Sequence, residues 1–483
     1  MQSLSSLVIQ ECGLVTASGL EQCRTLVTLQ VKECPQLTRL SDGAAEVPAI
    51  SSTAYTALQT LHVTGCPAFE TLDGLSAAQA LRVLRTPLTA IASLEPLQQC
   101  RHLELVDVEG CVHLQSIAGL RGAPALETLG ATGCGALRSL RGLESASALT
   151  VLEVAKTGIS TLAGLGCGPA LQVINASGCA DLRNIAALST ATHLQHVNFS
   201  ETSVEDISAL AAGAATLQDL RLEKCVGLRD ISVLRGARAL TMLDLDGTNV
   251  ADVSPLSGTV ATLEAVFLTN CCEVQDIAVL EDARRIRTLS LEGTGVRNLS
   301  PLSHTAATLE RLFVNGCSGV SDISVLAHAG RLTDVNLGGT SITDISALAA
   351  SAATLQRLVL EKCSGLRDID VLRSAQALTT LDLDGTSISH LSPLSHTAAT
   401  LETLYVNGCS GVSDISVLAH AGRLTDVNLS RTRVSDISPL AGSVKTLRVV
   451  RLVGCSGVDD VSVFNGASAL ETLDLRGTGA MRR

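Results

Sequence analysis

The chain has 483 residues, a net charge of −12, 46% hydrophobic residues and no tryptophan. Nucleic-acid and anionic-membrane surfaces need clustered Lys and Arg, so this charge balance argues against both partners. No run of about 18 apolar residues exists to span a membrane, and with 1% aromatic residues the core must be Leu, Ile, Val and Ala.

The first residues, Met1 to Ser5, open directly into a repeated pattern. They show neither the basic start nor the long apolar stretch of a secretory signal. We therefore expect an intracellular and cytoplasmic protein.

A nine-residue line, Leu-x-x-Leu-x-Leu-x-x-Cys/Thr, recurs twenty-one times, mostly every 23 residues. In the copy that begins at Leu309, positions one, four and six predict inward side chains on a strand, and the positions between them predict outward ones. A fixed short period indicates stacked units that bury their apolar faces against their neighbours. We predict one α/β solenoid over 1–483 with about 21 repeats, a parallel concave β-sheet, and convex segments of 3-10 or α-helix.

The amino-terminal part, 1–125, has irregular repeats. The spacing between the Leu26 and Leu58 repeats stretches to 32 residues, which predicts a loop insertion at 41–55. Thr86 occupies an inward Leu position and Pro87 follows it, so an irregular sheet is expected there. The repeats of 126–483 are regular, and neither end carries a polar capping unit.

Position nine alternates strictly between Cys and Thr from Thr157 onward. Alternate rungs of a parallel sheet lie about 9.6 Å apart, beyond the roughly 7 Å limit for a disulfide. Only Cys12/Cys34, Cys34/Cys66 and Cys111/Cys134 fall on adjacent rungs. We predict reduced thiols in a structural ladder whose S–H and O–H groups bond the turn backbone; its regular members are Cys225, Thr248, Cys271, Thr294, Cys317, Thr340, Cys363, Thr386, Cys409 and Thr432.

A return segment follows each strand, and in one copy, Asp436 to Leu440, it reads Asp-Ile-Ser-Pro-Leu. Ser followed by Pro predicts a helix start in which Ser caps the helix. An Asp recurs two residues before that Ser, and a turn cap is the preferred interpretation over calcium, because each repeat supplies one acid only. No metal site, cofactor site or catalytic constellation is predicted, and no small-molecule substrate.

These residues resemble the leucine-rich repeat superfamily. The Asp-Ile-Ser-Pro-Leu segment is similar to the subclass shared by the SDS22 phosphatase regulator and bacterial internalins. Those families mostly carry Asn where this chain alternates Cys and Thr. The segments Gly316 to Ser324 and Gly408 to Ser416 resemble the style of trypanosomatid leucine-rich repeat proteins.

Three of the seven aromatic residues, Phe267, Phe313 and Tyr405, share position five of their repeats. Aromatic anchors on an exposed sheet are typical of binding hot spots, so this row predicts a partner-binding surface. The flanking Asn270, Asn315 and Asn407 are expected to hydrogen-bond the partner. The alternative interpretation is a surface ladder inherited by duplication, because Ser303 to Leu337 nearly repeats as Ser395 to Leu429.

A charged block around Arg221 and Asp244, with a near copy around Asp382, is the second candidate. It is interpreted either as a solvated face or as a rim that steers a basic partner. Its members are Asp219, Arg221, Glu223, Lys224, Asp244 and Asp246, with the copy at Arg357, Glu361, Lys362, Asp382 and Asp384.

The favoured function is a non-catalytic scaffold whose concave face grips protein partners in a stable intracellular assembly. A cytoskeletal or flagellar complex would suit a long, uncapped arm. The resemblance implies two alternatives: an SDS22-like regulatory subunit of a phosphatase, and an internalin-like surface receptor.

Overall fold

The computed structural model describes residues 4–20, 23–40, 55–166 and 168–482. Their contacts form two compact units, of which the first ends at Asn249 and the second begins at Val250. The predicted single solenoid over 1–483 stays a prediction.

The first unit contains a parallel sheet of short strands. From β3 to β4 and onward, successive strands pair at a shift of 22 or 23 residues, as in Leu220 opposite Leu243. The strands are β1 Ser6–Gln10, β2 Thr28–Lys32, β3 Thr60–Thr64, β4 Val83–Arg85, β5 Leu105–Asp107, β6 Thr128–Gly130, β7 Val151–Glu153, β8 Val173–Asn175, β9 His196–Asn198, β10 Asp219–Arg221 and β11 Met242–Asp244.

The second unit repeats this arrangement with one register throughout, for example Phe313 opposite Asn336 and Asp382 opposite Tyr405. Its strands are β12 Ala265–Phe267, β13 Thr288–Ser290, β14 Arg311–Phe313, β15 Asp334–Asn336, β16 Arg357–Val359, β17 Thr380–Asp382, β18 Thr403–Tyr405, β19 Asp426–Asn428, β20 Val449–Arg451 and β21 Thr472–Asp474.

The helical segments of the described chain are all short 3-10 helices. In the first unit they are Leu75–Ala77, Glu95–Leu97, Ala118–Gly122, Ala186–Thr190, Ser208–Ala212, Ala214–Thr216 and Ser232–Gly236. In the second they are Ser254–Gly258, Ala278–Asp282, Ser300–Leu302, Ser324–His328, Ser346–Ala350, Asp370–Ser374, Ser392–Ser395, Ser416–His420, Ser438–Ser443, Ser462–Gly466 and Gly479–Arg482. Parallel strands joined by such segments at a 23-residue period confirm the predicted solenoid class. None of the described helices has the length and apolar character needed to cross a membrane.

Each rung is held together by a column of inward aliphatic side chains. In the rung that begins at Leu309, the side chains of Leu309, Leu312, Val314 and Cys317 are at most 1% exposed. The return segment adds Ile323, which is 3% exposed. Burial at alternate strand positions is the pattern expected of a sheet with one face on the core.

In the return segments that carry the Asp-Ile-Ser pattern, the cap is the Asp and not the Ser two residues later. The Asp436 carboxylate accepts a hydrogen bond from the Ser438 backbone N–H at 2.8 Å, and Ser438 is the first residue of its helix. The predicted Ser cap is therefore wrong: Ser contributes its N–H and Asp contributes the acceptor oxygen. The same bond, at 2.7–2.8 Å, is made by Asp206, Asp230, Asp252, Asp276, Asp322, Asp344, Asp368, Asp414 and Asp460.

The sheet does not become irregular at Pro87. β4 pairs with both neighbours, and the buried Thr86 donates its backbone N–H to the Asp107 carbonyl at 2.7 Å. Pro87 sits at position seven, and the ladder uses the N–H groups of positions six and eight, as in Leu291 to Phe313 and Gly293 to Asn315. A missing N–H at position seven therefore costs no ladder bond, and the expectation of irregularity is wrong.

The long spacing between the second and third rungs leaves the register intact. Thr28 lies opposite Thr60, so β2 and β3 pair directly in spite of the 32-residue spacing. Most of the predicted insertion, 41–54, lies outside the described residues. Its last residue, Tyr55, is fully buried and donates its phenolic O–H to the Leu40 carbonyl at 3.3 Å.

Candidate binding surface on the second unit

We define the sheet face of the second unit as the outward positions three, five and seven of β12 to β21 and the turns that follow them. Phe267, Phe313 and Tyr405 lie on this face and are half-buried. Phe313 stands between Ser290 and Asn336, and Tyr405 stands between Asp382 and Asn428. Four rungs separate Phe313 from Tyr405, which is about 19 Å by strand spacing.

Tyr405 is fixed by its hydroxyl group. The phenolic O–H donates to Asp426 Oδ2 at 3.0 Å, and Arg451 Nη1 donates to Asp426 Oδ1 at 3.1 Å. Burial, and then the neighbouring Asp426 carboxylate, raise the pKa of Tyr405. The Tyr405 side chain is therefore half-buried and fixed by a hydrogen bond, whereas the strand pattern predicts a freely exposed ring.

Phe313 has the same place in its repeat but different neighbours. Asp334 occupies the position next to Phe313 that Asp426 occupies next to Tyr405. The Oδ1 atom of Asp334 is buried and has no hydrogen-bond donor in the described structure. The nearest cation is Arg357, whose Nε lies 3.8 Å from that oxygen. Burial raises the pKa of Asp334, and the two neighbouring arginines oppose that shift. Asn315 Oδ1 on the same face is also buried without a donor.

The three candidate asparagines do not occupy equivalent places. Asn315 and Asn407 are at position seven, half-buried. The Asn407 backbone N–H donates to Asp384 Oδ1 at 2.6 Å. Asn270 lies one position later, is exposed, and has a left-handed φ of 59° that makes the turn. Asn270 thus corresponds to Gly316 and not to Asn315.

The charged candidates divide between the two units. Arg221 and Asp244 belong to the first, where Arg221 forms a double hydrogen bond to Asp219 at 2.9 and 3.1 Å. Asp382 belongs to the second and accepts the Asp384 backbone N–H at 2.9 Å. Burial raises the pKa of Asp244, and it raises the pKa of Asp382 to about 6. Because Arg221 is already paired with Asp219, the interpretation as a solvated face fits it better than the interpretation as a rim that steers a basic partner.

In the Cys/Thr ladder, a Thr and the Cys of the next rung share one backbone carbonyl as hydrogen-bond acceptor, which the sequence pattern does not show. The Leu291 carbonyl accepts Thr294 Oγ1 of its own rung at 2.7 Å and Cys317 Sγ of the next rung at 3.0 Å. The same sharing of one carbonyl recurs at Leu337, Leu383 and Leu429. The ten ladder residues predicted from the sequence are all buried: Cys225, Thr248, Cys271, Thr294, Cys317, Thr340, Cys363, Thr386, Cys409 and Thr432.

The two nearly identical segments of the second unit differ only on its sheet face. Over their 35 residues, Ser303 to Leu337 and Ser395 to Leu429 differ at two pairs of positions. Arg311 corresponds to Thr403 at position three, and Phe313 corresponds to Tyr405 at position five. Aligning the two segments by their strand positions would have revealed this from the sequence alone.

The described residues contain no group of three or more His, Cys, Asp or Glu side chains arranged to hold a metal ion. Two carboxylates of the sheet face, Asp382 and Asp384, accept hydrogen bonds from backbone N–H groups. The chemistry that this face offers is therefore recognition by an aromatic ring and by amide and carboxylate acceptors.

No family model matches the chain, and no curated protein matches it in sequence. Solved structures do match. The plant peptide hormone receptor RGFR1, solved with RGF2, is 15% identical with a TM-score of 0.60, covering 98% of this chain and 90% of that one. The functional domain of InlJ from Listeria monocytogenes, which includes a cysteine ladder, is 18% identical with a TM-score of 0.58 over 74% of each chain. These likenesses show a leucine-rich repeat fold, as the sequence resemblance implies.

Proposed function

We propose that the protein is a non-catalytic scaffold that binds a partner protein along the sheet face of its second unit, between β14 and β18. The observation that carries this proposal is the confinement of both differences between the duplicated segments to that face. Exposed positions of the return segment, such as Ser321 and Ser413, are identical in the two copies. Equal tolerance of change on every exposed surface gives no reason for both differences to lie on the sheet face.

The nature of the differences also supports recognition. An aromatic ring is kept at position five in both copies, while its polar neighbours are rearranged around Asp334 and Asp426. Half-buried rings on a rigid strand lose little conformational freedom on binding, which is why such residues dominate interface energies. The two rings, about 19 Å apart by strand spacing, would contact one extended segment or one folded surface of the partner.

The test is affinity purification of the protein from its own cells, comparing wild type with the Phe313→Asp/Tyr405→Asp double variant. The matched control is Val112→Asp/Val226→Asp, which places two acids at turn positions of the first unit whose side chains are 57% and 62% exposed. We expect partners with wild type and with the control but not with the aromatic variant. Binding of the purified partner should weaken by at least about 30-fold, the loss of one hot spot of about 2 kcal/mol.

Equal recovery of partners with the aromatic variant would overturn the use of this face. A Tyr405→Phe variant separates the ring from its hydroxyl group, since it loses only the bond to Asp426. Circular dichroism of each variant establishes that the fold is retained.

We further propose that the scaffold works in a stable intracellular assembly, of a cytoskeletal or flagellar kind. The buried ladder supports a reducing compartment, because the Sγ atoms of Cys317, Cys363 and Cys409 donate their protons to backbone carbonyls and must stay thiols to do so. The identity of the recovered partner separates this proposal from the two alternatives. A phosphatase catalytic subunit would favour the regulatory subunit, and an extracellular ligand would favour the surface receptor.

A further inference from the structure

The amino-terminal rungs break the Cys/Thr alternation. Cys12, Cys34 and Cys66 occupy position nine of three consecutive rungs. Gln10 lies opposite Lys32, and the Glu11 N–H bonds the Lys32 carbonyl at 3.0 Å. Cys12 and Cys34 therefore lie side by side just after the paired strands β1 and β2, whose backbones are about 4.8 Å apart, inside the range that a disulfide spans.

The thiols of this pair face each other. Cys12 Sγ lies 3.1 Å from Cys34 Sγ. The Cys34 thiol donates to the Lys32 carbonyl of its own rung at 3.3 Å. The ladder thiols donate instead to a carbonyl of the preceding rung, as Cys317 does to Leu291.

The chain contains a natural comparison in Cys111 and Cys134, which also lie on adjacent rungs. Both are fully buried. The Cys111 thiol donates to the Thr86 carbonyl at 3.1 Å and the Cys134 thiol to the Val108 carbonyl at 3.2 Å. Adjacency alone therefore does not turn two ladder thiols toward each other.

Accessibility differs within the Cys12/Cys34 pair. Cys12 is partly exposed and Cys34 is buried. Burial raises the pKa of the Cys34 thiol to about 11, so Cys34 stays protonated at neutral pH. An external oxidant can thus reach Cys12 first, and Cys34 can act only on a group already held beside it.

We propose that Cys12 and Cys34 are a dithiol site that forms a disulfide by exchange with a small-molecule disulfide. The Cys12 thiolate attacks one sulfur of the small disulfide, breaks its S–S bond and releases one thiolate. Cys34 then loses its proton to water and attacks Cys12 Sγ, which expels the second thiolate. Two protein thiols lose two electrons and two protons, and the small disulfide is reduced to two thiols. The product joins the rung of β1 to the rung of β2.

Proximity drives the second step. Two sulfurs held in contact react as an intramolecular pair, which offsets the low thiolate fraction of Cys34. The site acts separately from the sheet face of the second unit, so it does not rest on the proposed partner binding.

The test treats the reduced, folded full-length chain with oxidised glutathione, then blocks the remaining thiols with iodoacetamide. Combined cleavage after acidic and basic residues gives peptides 12–21 and 34–39, which hold Cys12 and Cys34 without the other cysteines. Mass spectrometry should find these two peptides cross-linked at an occupancy at least about tenfold above that of Cys111 with Cys134.

Two variants fix the order of attack. Cys34→Ala should trap glutathione on Cys12, and Cys12→Ser should leave Cys34 unmodified. Cys12 and Cys34 both recovered as alkylated thiols in the wild-type chain would overturn the proposal. A cross-link of Cys34 to Cys66 in place of Cys12 would overturn it equally, as would stable glutathionylation of Cys12 in the wild-type chain without a cross-link.

Discussion

The shared carbonyl of the ladder predicts that a Thr and the Cys of the next rung are energetically coupled. Leu291 O accepts Thr294 Oγ1 at 2.7 Å and Cys317 Sγ at 3.0 Å, and the two side chains touch at 3.3 Å. Thr294→Val removes one donor with little change of shape, and Cys317→Ala removes the other. Each change alone leaves one side-chain donor on the carbonyl.

The size of the effect follows from the burial of all three groups. Loss of the Thr hydroxyl bond should cost about 1 kcal/mol. Loss of the Cys sulfur should cost about 1 kcal/mol through lost burial and its weak hydrogen bond. The double variant leaves the Leu291 carbonyl with only the Thr294 backbone N–H, at 3.1 Å. An under-satisfied buried carbonyl adds a further cost, so we expect a coupling energy of about 0.5–1 kcal/mol.

Native-state hydrogen exchange is the appropriate assay, because long repeat arrays need not unfold in one step. The reporters are the backbone N–H groups of Leu291 and Val314, which bond the Phe313 and Asn336 carbonyls. The control combines Thr294→Val with Cys409→Ala, five rungs away, and these two changes should add within about 0.5 kcal/mol. A coupling below about 0.3 kcal/mol for the neighbouring pair would refute the shared-acceptor reasoning.

Two further predictions concern the turn and the sheet face. Lys362 has a left-handed φ of 60° at a position where Gly385 takes 70°, so Lys362→Gly should stabilise its rung by about 1 kcal/mol. The reverse change, Gly385→Lys, should destabilise by a similar amount, as measured by exchange at the neighbouring amides. Asp382 has a raised folded pKa of about 6, so the folded state binds its proton more tightly and stability falls as pH rises from about 4 to 6. Asp382→Asn should remove this slope and add about 1 kcal/mol at pH 7 after solvent screening; a carboxyl carbon of Asp382 that titrates near pH 4 by NMR would contradict this.

The period and the inward positions were predictable because burial imposes them on every rung. A strand with one face on the core shows its alternation directly, and a 23-residue repeat shows it many times over. The two wrong expectations, at Pro87 and Ser438, concern hydrogen bonds of backbone N–H groups, which the hydrophobic pattern does not show. Pro87 was misjudged because the sequence does not show which N–H groups the ladder uses, and Ser438 because the acceptor lies two residues earlier, in Asp436.

The sequence predicts a row of inward Cys and Thr side chains. It does not predict that a Thr and the Cys of the next rung bond the same carbonyl oxygen. Thr reaches the carbonyl three residues before it, and Cys reaches a carbonyl of the preceding rung, as Cys363 does to Leu337. Only the side-chain orientations in the structure show that the Thr hydroxyl and the Cys thiol donate to the same carbonyl oxygen. The same limit applies to Tyr405, whose strand position predicts exposure while its bond to Asp426 holds it half-buried.

The two duplications within the chain differ in where their substitutions lie. The segments Leu217 to Leu256 and Leu355 to Leu394 differ at 12 of 40 positions, in turns and return segments as well as on the sheet face. The inward differences are conservative, with Val250 matched by Ile388 and Val253 by Leu391. The more similar pair, with two differences in 35, has changed on the sheet face alone. In the more similar pair the sheet face has thus changed while the other exposed positions have not, which is the pattern expected if that face meets the partner.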